Sequence, residues 1–362
     1  MAITEDNILG ALRTVIDPDL HKDLVTLGMI KKVVIDGGRV SFTVELTTPA
    51  CPLKAEIEGM CREAVSAIPG VEAVEIEMSA NVRASQGRGI QGQQPIEGVK
   101  NVIAIASGKG GVGKSTVSAN IACALAQSGA KVGLMDADIY GPSIPIIMGA
   151  EDMQPAVDDA KEQILPIERY GVKIISMGFL QPSGAAVIWR GPMVAKAVQQ
   201  FLRDVKWGEI DYLIVDLPPG TGDAQLTLAQ AIPLSGAVVV MTPQDLAAAV
   251  AVKAVSMFKR LDVPILGIVE NMSYFLCTAC NARHHIFSHG GGEQAAEALQ
   301  VPFFGEIPLA VDIGDDADNG APSVVSNPNG HAAQVFREIS EKIAAQVSVR
   351  ARSFTPLSMS AG

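Results

Sequence analysis

The apolar run Val102–Ala106 leads directly into Gly108-Lys109-Gly110-Gly111-Val112-Gly113-Lys114-Ser115-Thr116. Few short stretches restrict a fold as tightly. The spacing Gly108-x-x-x-x-Gly113-Lys114-Ser115 meets the phosphate-loop pattern in the context it needs, after a buried strand and before a helix. Glycines let the backbone N–H groups curl around phosphate oxygens, and the following helix adds its positive end. In this reading Lys114 reaches the β- and γ-phosphates of a nucleotide, the Ser115 hydroxyl coordinates Mg²⁺, and Thr116 bonds the α-phosphate.

The remaining pattern extends this start into an α/β domain. Predicted helices are Thr116–Ser128, Asp245–Arg260 and a final His331–Val347. Predicted strands are Lys131–Met135, Tyr212–Val215, Ala237–Met241 and Ile265–Val269. Continuous apolar strands alternating with helices imply a mainly parallel sheet covered on both faces. Aromatic residues make up 4% of the 362 residues while glycine numbers 35, which favours an Ala/Val/Ile/Gly interior.

Residues 1–79 read as a separate small α+β domain. A helical pattern through Ile8, Leu12, Val15 and Ile16 stops at Asp17-Pro18-Asp19, and the strands Lys32–Ile35 and Val40–Leu46 flank the hairpin signal Asp36-Gly37-Gly38. An amphipathic segment runs from Pro52 through Ile68, and Val71–Met78 alternates as a half-buried strand does. Residues 80–98 are rich in Gly, Gln and Ser and read as a flexible linker. The nucleotide-binding domain then occupies 99–350, with a polar tail at 351–362.

Acidic residues complete the expected site. Asp216 ends the apolar run Tyr-Leu-Ile-Val and precedes Leu-Pro-Pro-Gly-Thr-Gly-Asp223, as a carboxylate near Mg²⁺ does. Asp136 and Asp138 follow the strand Lys131–Met135, at the carboxyl edge where such sheets bind ligands. Asp136 is assigned to the metal and its water, and Asp138 to positioning the attacking water. The alternative for both is helix capping ahead of Ile139-Tyr140-Gly141-Pro142.

Cys277 and Cys280 lie in an irregular stretch running from Asn271 to near His289. Thiolates suit iron–sulfur clusters or Zn²⁺. One pair gives two ligands where a tetrahedral thiolate site needs four, and two chains related by a two-fold axis would supply the rest. Zinc held with His284, His285 or His289 is a second reading. A thioredoxin-like dithiol and a pair of structural cysteines are others, although no helix pattern follows the pair.

Composition narrows the classes. A net charge of −11 without any Lys/Arg run argues against nucleic acid as a partner. Five scattered cysteines do not resemble an extracellular disulfide framework. The start MAITEDNILG lacks an export pattern. No apolar stretch reaches the roughly 18 residues that span a bilayer. The expectation is a cytoplasmic protein without membrane attachment.

Lys109, the early lysine of the glycine loop, resembles the signature of the deviant Walker-A ATPases, which include MinD, ParA and the nitrogenase iron protein. That resemblance implies a catalytic Lys109 that crosses a two-fold interface to the partner subunit's nucleotide. It also implies an ATP-favoured homodimer, slow switching hydrolysis and an adenine-reading Asn271. Asp136-Ala-Asp-Ile-Tyr-Gly-Pro-Ser143, Asp216-Leu-Pro-Pro-Gly-Thr-Gly-Asp223 and Cys277-x-x-Cys280 narrow it further. From residue 101 to about 310 the chain resembles the Mrp/ApbC family of iron–sulfur cluster carriers. The implied cargo is a cluster, taken as 4Fe–4S, shared by Cys277 and Cys280 of two subunits and passed from a donor to apoproteins. A MinD-type positioning ATPase and a nucleotide-driven electron donor are the rival readings.

Asp17-Pro18-Asp19, Leu27-Gly28-Met29-Ile30 and Thr47-Thr48-Pro49-Ala50-Cys51-Pro52-Leu53 are similar to the iron–sulfur assembly domain that precedes many bacterial Mrp proteins. Cys51, which precedes Pro52 at an expected helix start, is a candidate for transient cluster contact or partner binding. Cys61 and Cys123 read as core residues.

Overall fold

The computed structural model describes residues 3–85, 94–138, 141–158, 163–180, 191–220, 223–277, 279–280 and 282–353. Of the expected features, residues 86–93 of the linker and Ile139, Tyr140, Thr221 and Gly222 of the motifs lie outside them. Contacts divide the chain into two compact units, one reaching Arg83 and including the chain from Ala344 onward, the other Ala84–Ile343.

The first unit packs helices α1 (Glu5–Leu12) and α2 (Lys54–Ser66) with a three-stranded sheet. Its strands are β1 (Ile30–Asp36), β2 (Arg39–Leu46) and β3 (Ala73–Ala80). The central β2 runs antiparallel to β1 and parallel to β3. Ile8, Leu12, Phe42, Val44, Ile57, Cys61 and Val65 form the core. Two expectations are corrected here. Helix α1 ends at Leu12 and does not reach Ile16, which joins a two-residue strand and is exposed. Helix α2 starts at Lys54 with Leu53 as its N-cap, not at Pro52, and Cys51 stands ahead of it as expected, its carbonyl accepting from Lys54 N at 3.3 Å.

The second unit is built on an eight-stranded sheet. Its strands are β4 (Val99–Ser107), β5 (Val132–Asp136), β6 (Ile167–Arg169), β7 (Val172–Ser176), β8 (Ile210–Asp216), β9 (Gly236–Met241), β10 (Ile265–Glu270) and, later in the chain, Phe303–Glu306. In space the order is β6-β7-β5-β8-β4-β9-β10 and then Phe303–Glu306. Every pairing is parallel except β6 with β7. Every residue of β5, β9 and β10 is buried, as two-sided cover requires. Helix α3 (Lys114–Gln127) is buried on nearly all sides, which its Ala-rich sequence permits because short side chains let it sit close to the sheet. Cys123 is part of that core, 3.9 Å from the Met148 sulfur.

The last helix spans His331–Ser353 and outruns the predicted end at Val347. The extra turns look polar in sequence, yet Ser348 is buried. Its hydroxyl lies 2.9 Å from the Ala344 carbonyl and 3.4 Å from the Thr47 carbonyl of the same unit. Among the described residues no helix is long and apolar enough to cross a membrane.

Candidate functional site

Because their strands run parallel, Ser107, Asp136, Asp216 and Glu270 all stand at one rim of the sheet, where such sheets bind ligands. The glycine loop fills the turn from β4 into α3. Gly111 and Gly113 take positive φ angles of 76° and 77°, a region that glycine enters without steric cost. Gly113 is doubly restricted, because a Cβ there would lie 2.3 Å from Asn271 Nδ2.

Lys114 points inward. Its Nζ lies 2.7 Å from Asp216 Oδ2, with the two side chains 5% and 0% exposed. The Ser115 hydroxyl is 2.6 Å from the same carboxylate oxygen, and the Ser118 hydroxyl is 2.6 Å from Asp216 Oδ1. Sequence reading missed Ser118, although it stands one helical turn beyond Lys114 and so shares its face. Hydroxyl and carboxylate oxygens converging in this way are the hard donors that Mg²⁺ prefers.

Asp136 is wholly buried. Its Oδ1 accepts from Asp138 N at 3.0 Å, and its Oδ2 accepts from the Ser176 hydroxyl at 2.9 Å and Ile144 N at 3.4 Å. Burial, followed by the neighbouring Asp216 carboxylate, pushes its carboxyl up to about 7. Ile144 opens the short helix Ile144–Ile147, whose N-cap is Ser143, so Asp136 reaches that helix from the end of β5, while capping ahead of Ile139 falls partly outside the described residues.

Asp138 is 8% exposed and lines a cavity of about 360 Å³ with Lys109, Gly110–Thr116, Ser143, Pro219 and Asp318. Gly108 and Lys109 are half-buried, and the Lys109 carbonyl accepts from the Ser107 hydroxyl at 2.9 Å. Asn271 braces the loop from behind, its side-chain amide donating to the Val112 carbonyl at 2.8 Å.

The cysteines occupy more ordered backbone than their sequence suggests. Two-residue strands β11 (Phe275–Leu276) and β12 (Arg283–His284) pair antiparallel, and Cys277 N donates to the Ala282 carbonyl at 2.9 Å. Cys277 and Cys280 therefore stand at the tip of a short hairpin, corrected from the irregular stretch that was expected. The N–H of Ala279, then that of Cys280, then the Cys280 side chain hold the Cys277 thiol below its ordinary range. Amides aimed at sulfur favour thiolate, the form that ligates metals.

His284 pairs with Phe275 across the hairpin, while the His285 and His289 rings lie 4.0 Å apart. Among the described residues no three His, Cys, Asp or Glu side chains are gathered to hold a metal ion within one chain.

Comparison with known proteins places the chain in a family. The family described as "NUBPL iron-transfer P-loop NTPase" matches residues 98–344, and the family described as "Iron-sulfur cluster assembly protein" matches 5–78. A Deinococcus radiodurans protein named "Iron-sulfur cluster carrier protein" is 49% identical, covering 97% of this chain and 98% of its own. The Escherichia coli protein of that name is 42% identical, covering 94% and 91%. Among solved structures, a nucleotide-binding protein from Archaeoglobus fulgidus in complex with ADP is 44% identical with a TM-score of 0.56, over 62% of this chain and 88% of that one. Pyrococcus furiosus MinD, at 24% identity and a TM-score of 0.50, shares the fold over 67% of this chain and 98% of its own. The chain belongs to the iron-transfer P-loop NTPase family, with an iron–sulfur cluster assembly domain preceding the NTPase domain.

Proposed function

We propose that the chain is an ATP-switched carrier of iron–sulfur clusters that works as a homodimer. The observation that carries this reading is the hairpin tip, where backbone amides favour the thiolate of Cys277 beside Cys280. One tip supplies two soft ligands, and a second copy completes a Cys₄ set for a 4Fe–4S cargo. Exposed apolar side chains support a covered tip: Ile286 and Phe287 follow β12 closely, and Val311, 68% exposed, shares a cavity with Cys277. The carrier names of relatives that match nearly the whole chain support the same cargo.

At the nucleotide site, Gly108–Thr116 would wrap the phosphates of ATP. Ser115 and Asp216 would hold Mg²⁺, with Asp136 orienting the water around it. The ion would draw charge from the β- and γ-phosphates when bound. Asp138, at the cavity wall, would position the attacking water, and Lys109 would reach the partner subunit's nucleotide. Hydrolysis in this design is slow and serves as a switch on the dimer, with cluster passing from a donor protein to apoproteins by thiolate exchange.

Anaerobic reconstitution with iron and sulfide tests the reading. About four iron atoms per dimer, with a visible chromophore, is the expected outcome. Bound zinc without chromophore would overturn it.

A further inference from the structure

The nucleotide loop and the cysteine hairpin are joined by one short piece of chain, Asn271-Met272-Ser273-Tyr274-Phe275-Leu276-Cys277. It contains neither glycine nor proline. Six residue steps reach at most about 20 Å in extended chain, so the two sites are near neighbours along the backbone.

This segment is tied down along its length. At its nucleotide end Asn271 donates its side-chain amide to Val112 at 2.8 Å, and Asn271 N donates to the Met241 carbonyl at 2.7 Å. Met272 has φ of 56°, a left-handed conformation that strains a non-glycine residue and persists only where its surroundings enforce it. Enforcement comes from the wholly buried Glu270. One of its carboxylate oxygens accepts from the Ser273 hydroxyl at 2.5 Å, and the other accepts from Gly292 N at the start of the helix Gly291–Leu299.

Further along, Ser273 N donates to the Ile307 carbonyl at 2.9 Å and the Tyr274 carbonyl accepts from Leu309 N at 2.7 Å. The Tyr274 hydroxyl lies 2.8 Å from His331 Nε2, and the Arg283 guanidinium of the returning strand stacks 3.7 Å from the Tyr274 ring. Phe275 bridges to Leu309, and the next ties are the hairpin itself and Cys277.

A segment without glycine or proline, hydrogen-bonded at Asn271, Ser273, Tyr274 and Cys277, is a stiff path between the two sites. Its input is the Val112 carbonyl, which belongs to a loop whose glycines give it more than one accessible conformation. We propose that Asn271–Cys277 is a rigid strap that converts the conformation of the phosphate loop into the position and exposure of the Cys277 thiol. Asn271 is the positioning residue at its nucleotide end. The inference rests on the carrier reading and supplies its missing link, a physical connection between ATP and cargo. Energetic coupling needs an element that both sites bias, and the strap is bonded to both.

The test uses the full-length, metal-free protein. Cys277 alkylation by N-ethylmaleimide is followed by peptide mass spectrometry, with and without a saturating non-hydrolysable ATP analogue and Mg²⁺. Saturation is set from separate equilibrium binding, and gel filtration reports the oligomeric state under both conditions. The wild-type rate is expected to change about fivefold or more on nucleotide binding, the lower end of typical coupling. Met272→Gly, which accepts the left-handed backbone without strain, should bring that ratio close to one at saturation while dimerising as wild type does, and Asn271→Ala, read at its own saturating nucleotide concentration, should lower it likewise.

A ratio retained in both variants would place the response in dimerisation alone and overturn the strap. A wild-type ratio of one would overturn it too. Parallel iron reconstitution separates the two ideas: loading without a nucleotide-dependent ratio sinks the strap and leaves the carrier. A ratio without loading sinks the carrier and leaves the strap as the link between nucleotide and thiols.

Discussion

Cys277 N donates to the Ala282 carbonyl at 2.9 Å, a single bond that closes the hairpin tip and fixes where the paired thiols stand. The thiols of this chain are thereby sorted by environment. Cys277 is held toward thiolate by amides, whereas burial pushes Cys61 and Cys123 up to about 12.

Alkylation should read that sorting directly. In the metal-free protein at neutral pH, Cys277 is expected to react while Cys61 and Cys123 remain unmodified until the chain is denatured. The rate at Cys277 should rise with pH through a midpoint below about 8.5, the value of a free thiol, because its folded-state pKa is depressed. Cluster loading should fall as acid protonates the same thiolate. A Cys277 profile matching free glutathione would contradict the amide effect.

Changing Cys277→Ala and Cys280→Ala together should abolish iron retention after reconstitution. Nucleotide affinity, measured by equilibrium binding, should change by less than about threefold, a difference under 1 kcal/mol by the relation of ten per 1.4 kcal/mol. Equal iron in the double variant would move the cargo site elsewhere.

Lys114→Ala leaves the Asp216 carboxylate buried beside Asp136 without its cation. Breaking a buried pair in this way costs about 3–5 kcal/mol. The expected result is loss of ATP binding together with a clear drop in unfolding free energy in urea. Ser118→Ala, which removes one hydroxyl from the same carboxylate, should cost about 1–3 kcal/mol. A Lys114→Ala protein as stable as wild type would mean the pair adds nothing to the fold.

Gly113→Ala places a Cβ at a positive φ and 2.3 Å from Asn271 Nδ2. It should both destabilise the protein and weaken nucleotide binding by more than tenfold, since the loop cannot keep its shape. Gly110→Ala meets nothing closer than Pro219 at 3.9 Å and is the milder control for stability.

What the sequence showed and hid follows from the range of the interactions. The glycine loop and the strand-terminal Asp136 and Asp216 are local in pattern, since spacing alone puts them beside a strand and a helix. The partners of those acids are not. Ser176 reaches Asp136 from a neighbouring strand, and Glu270 clamps Ser273 and Gly292, all choices set by tertiary packing. The hairpin at Cys277 escaped notice because its strands are two residues each, too short to show alternation. Helix His331–Ser353 ran past its predicted end because packing around Ser348 outweighs the polar character of its last turns.

The pairing of Lys114 with Asp216 sets the terms on which any nucleotide enters. A phosphate that reaches this ammonium replaces one anion by another, so its affinity is a difference between two attractions. With both side chains shielded from water, mobile salt does little to ease that exchange. Magnesium held as proposed above would tilt it by giving the released carboxylate a new positive partner. Metal and nucleotide should therefore enter as one thermodynamic unit, each poor at displacing the internal ion pair alone.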